Sequence, residues 1–401
     1  MKVFFRRIHL YLGLTAGLVI TLSCLTGAML VFEKEITEAL NHDRYFVTPA
    51  EKRVPLSAII NSVKQEVPGA NITRIQLFAD PTRTVQVLFE EKKKEKRAEG
   101  EKADSKPMGR EKGKGAAPKK EKGRTAFVNP YTGQVIELYS YQATFYYKIF
   151  AFHRWLLAGD TGKIITGTST FIFLFILITG IILWWPKTRN ILKQRLKVKW
   201  DGNWKRVNND LHVVLGFYTS IFLFVIAFGG VVWSFDWFSN AFYSTLGGNK
   251  PATIAGSIAT EPNQLRISPD DAFRIGQQQE PNAYFYTVNM PKDSSSSFVV
   301  NALPSSARIE VATTAFTIDQ YSGKVLQKET FSDRKLGTQV KNLMKPIHTG
   351  TIYGTPTKIF YFVIALLGAI FPATGTIMWL NRTRKQKKKP ATKTMETKKA
   401  A

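Results

Sequence analysis

The sequence predicts a membrane-embedded α-helical protein: four transmembrane helices, built as a duplicated two-span unit, with two small α+β domains on one side of the membrane. Three observations predict this fold: long apolar runs, the basic residues beside them, and residues that recur in the second half of the chain. Each run is long enough, at about 1.5 Å per residue, to cross a hydrocarbon core about 30 Å thick. The four uncharged runs are residues 10–32, 164–185, 213–235 and 359–380.

The first run follows Lys2, Arg6 and Arg7 and could be mistaken for a signal peptide. Its apolar part is too long for a signal-peptide core, and no A-x-A-like cleavage site ends it. A lipoprotein site at Cys24 is also disfavoured, because the usual leucine three residues before the cysteine is missing. We therefore expect the first helix to be retained as a span.

Basic residues near the spans predict the orientation of the chain. Residues 186–211 contain eight basic and two acidic side chains, and residues 381–401 contain nine basic and one acidic. Lysine and arginine are retained on the cytoplasmic side of short loops. We expect both termini and the middle loop to be cytoplasmic, in a multi-pass protein of the bacterial inner membrane whose two long segments face the periplasm.

The net charge of +26 does not indicate nucleic-acid binding, because much of it lies in these topogenic segments. Residues 90–124 add a block of mixed charge without aromatic side chains, which is typical of a disordered, solvated insert. The single cysteine excludes an internal disulfide and a C-x-x-C-H haem attachment.

These features divide the chain into eight predicted segments. They are the N-terminus and first span (1–32), outer domain 1 (33–163) with its insert (90–124), the second span (164–185), a basic loop (186–212), the third span (213–235), outer domain 2 (236–358), the fourth span (359–380) and a basic tail (381–401).

The two halves of the chain repeat each other. At one constant offset, His9, Leu12, Gly13 and Gly27 fall on His212, Leu215, Gly216 and Gly230. At a second offset, the residues around the second and fourth spans match: His153, Gly159, Lys163, Gly180 and Trp184 fall on His348, Gly354, Lys358, Gly375 and Trp379. Because each copy contains two spans, both copies enter the membrane in the same orientation, related by an axis along the membrane normal.

The outer segments repeat as well. "PLSAIINSVKQEVPGANITRIQLF" and "RISPDDAFRIGQQQEPNAYFYTVNM" each predict a short helix, a turn and a strand. "FVNPYTGQVIELY" and "FTIDQYSGKVLQKETF" each predict a β-hairpin, with Gly133 or Gly323 in the turn.

These motifs, together with the "H-x-x-L-G" start of a span and the "F-H-R-W-L-L" segment, resemble the PepSY-associated transmembrane family, which includes di-haem ferrisiderophore reductases. The resemblance covers nearly the whole chain apart from the charged insert and the tail. It implies that both outer domains are PepSY-like and that the protein binds haem.

The duplication predicts that His9 faces His212 at the cytoplasmic edge and that His153 faces His348 at the outer edge. Two imidazoles across a gap are the axial ligands of a low-spin b-type haem, whose porphyrin is apolar enough to lie between helices. Together with the resemblance, this predicts two b-type haems, each ligated by two histidines. Gly13, Gly17, Gly216 and Gly180 leave room for a flat ring or for close helix approach.

Haem propionates need cations at the membrane interfaces. Those placed to supply them are Arg6, Arg7, Arg154, Lys163 and Lys358.

Other interpretations compete for the same residues. A single interfacial histidine more often forms an interhelical hydrogen bond than a metal ligand. His42 lies outside the repeat and is expected to be a surface residue. The tryptophans Trp184, Trp185, Trp233, Trp237 and Trp379 are most simply an aromatic belt, although rings between two haems could also assist electron tunnelling.

The leading functional hypothesis is a transmembrane electron conduit that acts as a membrane haem-dependent ferric reductase. By resemblance, the periplasmic acceptor is a ferric siderophore, because reduction to Fe(II) weakens its binding by hard oxygen ligands. The chain has no nicotinamide or flavin motif, so a quinol or a separate cytoplasmic reductase is the expected donor, and membrane lipid is the surrounding partner.

Two alternatives stay open. The PepSY-like domains could form a membrane-anchored module that binds peptides or a protease through a sheet edge, with histidines that only tie helices together. A proton- or metal-coupled transporter is the other, disfavoured because the span interiors contain no Asp, Glu, Lys or Arg.

Overall fold

The computed structural model describes residues 1–91, 123–248, 254–258 and 264–387. Most of the insert that was predicted to be disordered and most of the basic tail lie outside these residues. Residues 90–91 and 124, which the prediction placed in the insert, belong to strands. The α-helices of the described chain are α1 (Lys2–Val31), α2 (Glu33–Leu40), α3 (His42–Tyr45), α4 (Leu56–Glu66), α5 (Phe145–Trp155), α6 (Gly159–Trp184), α7 (Arg189–Arg195), α8 (Trp204–Asp210), α9 (Gly216–Ser234), α10 (Asp236–Ser244), α11 (Pro269–Gln279), α12 (Leu336–Thr349) and α13 (Thr355–Lys387). The strands are β1 (Ala70–Phe78), β2 (Val85–Glu91), β3 (Arg124–Val128), β4 (Val135–Tyr139), β5 (Ala283–Asn289), β6 (Phe298–Pro304), β7 (Thr314–Ile318) and β8 (Val325–Glu329).

Within the described residues, four helical segments are long and apolar enough to cross a membrane: α1, α6, α13 and the continuous segment 204–234. In the last of these, α8 passes through a π-helical turn, Leu211–Leu215, into α9. In each segment only 22% to 39% of an apolar stretch of 18 residues is buried within the protein, so apolar faces remain at least partly exposed. Lipid accommodates such faces and water does not. The chain is therefore a multi-pass membrane protein.

The spanning segments pack as a ring in which α1 contacts α6 and α13, and α9 contacts the same two helices. Small residues allow close approach within the ring. A side chain at Gly17 would meet Pro372, with its Cβ 3.1 Å away, and a side chain at Gly368 would meet Leu223 and Cys24. A two-fold axis through the centre of this ring would relate α1 to α9 and α6 to α13, as expected for two copies of one unit.

All eight strands form one antiparallel sheet with the order β4-β3-β2-β1-β5-β6-β7-β8. The first four strands come from the first half of the chain and the last four from the second. They join through β1 and β5, where Gln76 lies opposite Thr287. The sequence predicted two α+β domains, and main-chain hydrogen bonds unite them into one sheet. Alternating hydrophobicity predicts a strand but does not say which free edge it pairs with.

One face of the sheet carries α4 and α11, which cover a core that includes Ile75 and Val288, both fully buried. Side chains also connect the halves. The carboxylate of Asp270, in α11, accepts hydrogen bonds from the backbone N–H groups of Leu56 at 2.5 Å and Ser57 at 2.9 Å, at the start of α4. A residue of the second half of the chain thus caps a helix of the first half.

Both predicted β-hairpins form, β3 with β4 and β7 with β8. Their turns share one design: the side-chain oxygen of Asn129 or Asp319 accepts hydrogen bonds from the two N–H groups that follow the next residue. Gly133 and Gly323 have φ values of 74° and 72°, which explains glycine at these positions. The duplication therefore extends to the conformation of the turns.

The Asp270 cap gives a test of how the two halves are joined. Asp270→Ala should lower the free energy of unfolding by about 1 kcal/mol, the usual cost of losing a helix cap. Asp270→Asn keeps one acceptor oxygen and should lose less. Thermal unfolding of the purified full-length protein measures both. Equal stability of the wild-type and alanine proteins would show that the contact contributes nothing to the junction.

Candidate functional site

The four repeated histidines meet as two pairs at opposite ends of the helical bundle. The ring centres of His9 and His212 are 6.3 Å apart, and those of His153 and His348 are 6.2 Å apart. The first pair lies at the end that carries Met1 and the C-terminal end of α13, called here the terminal side. The second pair lies at the end facing the β-sheet, called the sheet side. The pairing predicted from the duplication is the one observed.

On the terminal side, each ring is held by its Nδ1 atom. The Nδ1 of His9 lies 3.1 Å from the carbonyl oxygen of Ile176 and 3.0 Å from the hydroxyl of Thr179, both in α6. The Nδ1 of His212 lies 2.9 Å from the hydroxyl of Thr374, in α13. Thr374 occupies the repeat position of Thr179, so both anchors come from the same place in the two copies.

On the sheet side, the same rule applies to short helices outside the spans. His153, in α5, directs Nδ1 at the carbonyl oxygen of Ser23, 2.9 Å away, and lies 3.2 Å from the hydroxyl of Thr26. His348, in α12, directs Nδ1 at the carbonyl oxygen of Ile226, 2.8 Å away. A carbonyl oxygen can only accept a hydrogen bond, so it requires the proton on Nδ1 and leaves the lone pair on Nε2.

A glycine of a neighbouring helix lies close to the edge of three of the four rings. A Cβ at Gly180 would lie 3.3 Å from the Cε1 of His9, and one at Gly375 would lie 3.1 Å from the Cε1 of His212. Gly27 stands in the same relation to His153, at 3.2 Å. Any side chain at these glycines would push the ring away. These glycines therefore leave the space that the histidine rings occupy.

The pairs have a geometry that a shared metal would require. Two imidazoles bound to one metal at about 2 Å from each nitrogen have ring centres about 6 Å apart. Across the described residues, no group of three or more His, Cys, Asp or Glu side chains could hold a metal ion. A metal in either pair would therefore need most of its ligands from elsewhere. A haem iron would meet this condition with the two histidines of a pair as its protein ligands, because the porphyrin would supply the remaining nitrogens.

Space next to the terminal-side pair is consistent with a large apolar group. Gly13 and Gly216 lie one turn after His9 and His212, and a Cβ at either would meet nothing within 4 Å. A mainly apolar groove of about 400 Å³ lies between α6 and α9, and neither histidine of the pair lines it. It is lined by Leu177, Ile178, Ile181, Phe217, Tyr218, Ser220, Ile221 and Phe224.

Burial keeps the sheet-side rings neutral. Desolvation lowers the pKa of His153 to about 4, and the nearby His348 and Arg154 act in the same direction. Desolvation also lowers the pKa of His348, again with a contribution from the charge of Arg154. Both rings therefore keep a free lone pair at neutral pH, as a metal ligand must.

The cations suggested by the sequence lie in different surroundings. Arg6 and Arg7 are exposed, close before His9 in α1, and Lys163 is half-buried near the start of α6. Arg154 is also half-buried and directly follows His153. Lys358 is 6% exposed and donates to Glu35 at 2.5 Å, so it is already paired with a carboxylate of this chain.

Two of the tryptophans depart from the expected aromatic belt. Trp184 is 7% exposed and stacks on Phe217 with ring centres 3.6 Å apart, so it packs inside the protein rather than against lipid headgroups. Trp233 meets His348 edge-on at 5.1 Å. Trp185 and Trp237 are exposed, as a belt requires. His42 is an exposed residue that stacks on Phe46, as expected.

Sequence reasoning missed two features beside His212. The ring lies in the π-helical turn, whereas His9 lies in a regular α-helix. Asn208, one turn earlier, is 1% exposed and donates to the carbonyl of Thr374 at 3.1 Å, while its Oδ1 has no hydrogen-bond partner in the described structure. A polar asparagine one turn before the histidine was the available signal.

Comparison with known proteins identifies the family. No curated protein matches the chain. The model of one protein family, the PepSY-associated TM region, matches residues 6–382, which include all four paired histidines and both halves of the sheet. This match covers almost the whole chain and agrees with the resemblance drawn from the motifs. The protein belongs to the PepSY-associated transmembrane family.

Proposed function

We propose that this protein is a di-haem membrane electron-transfer protein that reduces an acceptor on the sheet side. One observation carries the proposal: four histidines, each held by Nδ1, meet in two pairs whose ring centres are 6.2 to 6.3 Å apart. Interhelical hydrogen bonding alone explains why each Nδ1 atom has a partner. It does not account for two facing rings whose hydrogen bonds among the described residues all involve Nδ1.

The residues of this chain would have defined roles around each group. The backbone carbonyls of Ile176, Ser23 and Ile226 fix the ring tautomers and leave Nε2 as the ligand. Close packing against Gly180, Gly375 and Gly27 limits how the neighbouring histidine rings can turn. When bound, a b-type haem supplies one-electron redox chemistry through its iron. Two such centres at the two ends of the bundle would let electrons cross the apolar layer between them.

The charge distribution supports an orientation for this transfer. The loop 186–211, the start of α1 and the end of α13 lie on the terminal side and are rich in lysine and arginine, which favours the cytoplasm. The proposed direction is therefore from the cytoplasmic face of a bacterial inner membrane to the periplasm. A quinol or a separate cytoplasmic reductase would be the donor, since the chain has no flavin or nicotinamide motif.

The family resemblance suggests a ferric siderophore as the periplasmic acceptor. Reduction to Fe(II) would weaken binding by hard oxygen ligands and release the metal for uptake. In this proposal the protein is a haem-dependent ferric reductase, and the sheet side is where the acceptor is reduced.

The proposal predicts two bis-histidine haems in the purified protein. Oxidised and reduced absorption spectra should show low-spin b-type haem, and a pyridine haemochrome assay should give two haems per chain. Replacing His153 and His348 together by alanine should reduce the count to one, because one axial set is removed. Replacing His9 and His212 together should do the same.

His42→Gln is the matched control, because His42 is exposed and lies outside both pairs. It should leave the spectrum and the count unchanged. A wild-type protein without a Soret band, or one that keeps both haems in either double variant, contradicts the proposal. Glutamine variants that are haem-free, yet bind a peptide or protease as the wild type does, would favour the regulatory-module alternative.

A second prediction separates haem binding from simple helix packing. Gly216→Leu would enter open space in the protein as it stands. It should leave the fold intact, yet it should displace a porphyrin bound to His212. We expect the haem count to fall toward one with little change in the elution volume in size-exclusion chromatography.

Val225→Leu, on the exposed face of the same helix, is the control and should keep both haems. Full haem content in Gly216→Leu would mean that the ring does not occupy this space.

A further inference from the structure

The residues that follow the two sheet-side histidines differ in charge between the copies. On the terminal side, the two rings share a threonine and a glycine, because Thr179 matches Thr374 and Gly180 matches Gly375. The exposed Arg6 and Arg7 before His9 fall on Asn209 and Asp210 before His212. On the sheet side, the residue after His153 is Arg154, and the repeat position after His348 is Thr349. A charge therefore stands beside the sheet-side pair in one copy and not in the other.

Arg154 lies in the last turn of α5, where it is half-buried. Among the described residues, its guanidinium makes no ion pair with a carboxylate, whereas the buried Lys358 is neutralised by Glu35. Arg154 directly follows His153, whose ring centre lies 6.2 Å from that of His348. Thr349 instead donates its hydroxyl to the carbonyl of Lys345 and carries no charge.

A fixed cation beside a haem changes the balance between the two oxidation states. The ferric form of a bis-imidazole haem carries one more positive charge than the ferrous form, so a nearby cation destabilises it more. The low dielectric constant next to the membrane strengthens this effect. If a propionate meets Arg154, its removal leaves that propionate uncompensated. In either case, loss of the cation stabilises the ferric form.

We propose that Arg154 favours outward electron transfer by raising the reduction potential of the sheet-side haem. This inference rests on the proposed function. In the step it favours, the terminal-side iron is oxidised from Fe(II) to Fe(III) and the sheet-side iron is reduced from Fe(III) to Fe(II). One electron moves, and no bond or proton is involved.

Redox titration of the full-length protein, followed by absorption, tests the role of Arg154. In Arg154→Gln the midpoint potential of one haem should fall, and the other should change little. The variant in which His9 and His212 are both replaced should keep only the sheet-side haem. The midpoint of that remaining haem should match the one that Arg154→Gln lowers. Arg154→Lys keeps the charge and should keep a potential close to that of the wild type, which separates charge from packing.

Lys148→Gln is the matched control, because it removes an exposed positive charge from the same helix. Neither midpoint should move. The haem count of each variant is measured first. A count of zero in the wild type overturns the proposed function, and with it this inference. A count of two with unmoved midpoints in Arg154→Gln, or with an equal shift of both, overturns the inference alone.

Discussion

A buried imidazole at a membrane edge must be neutral and must have its N–H satisfied, and this constraint organises the rest of the bundle. A charged ring would be strongly disfavoured there, and an unsatisfied N–H would cost about 1 to 3 kcal/mol. The spanning helices meet the second condition with main-chain carbonyls that their own hydrogen-bond ladder leaves available to a second donor, such as those of Ile176 and Ser23. One bond then determines three properties of the ring: its charge, its tautomer and the direction of Nε2.

Duplication converts this local solution into paired sites. A single copy of the two-span unit presents only one imidazole at each end of its helix pair. One imidazole cannot supply both protein ligands of a metal that is held between two histidines. Packing a second copy against it, through α1 with α13 and α6 with α9, brings each ring opposite its counterpart. The sheet applies the same two-fold relation outside the membrane, because β1 and β5 pair at the centre of its strand order. The two-fold relation that joins the two halves of the sheet is therefore the one that brings the histidines opposite each other.

The sequence was sufficient for the spans, the hairpins and the pairing of His9 with His212, because these follow from apolar length, turn residues and repetition. It was not sufficient for features that arise only when the copies meet. The union of the two domains in one sheet depends on which strand edge is free, and the Asp270 cap joins residues from different halves. The burial of Trp184 depends on Phe217, which the linear pattern does not place beside it. The π-helical turn at His212 has no clear signature in composition.

The residues around each histidine pair are more informative about direction than the repeat itself. The two-fold axis along the membrane normal relates the two copies and not the two ends, so the ends differ in their residues as well as in the solvent and the membrane field. In the proposed orientation, an electron moving outward leaves the negative side of the membrane, which is favourable by about 2.3 kcal/mol per 100 mV for a full crossing. The field therefore already favours export. A fixed charge at the sheet side, Arg154 opposite the uncharged Thr349, acts in the same sense and persists when the membrane potential collapses. Such a device would be redundant in a scaffold whose histidines only tie helices together, and it has a direct use in a conduit that must not run backwards.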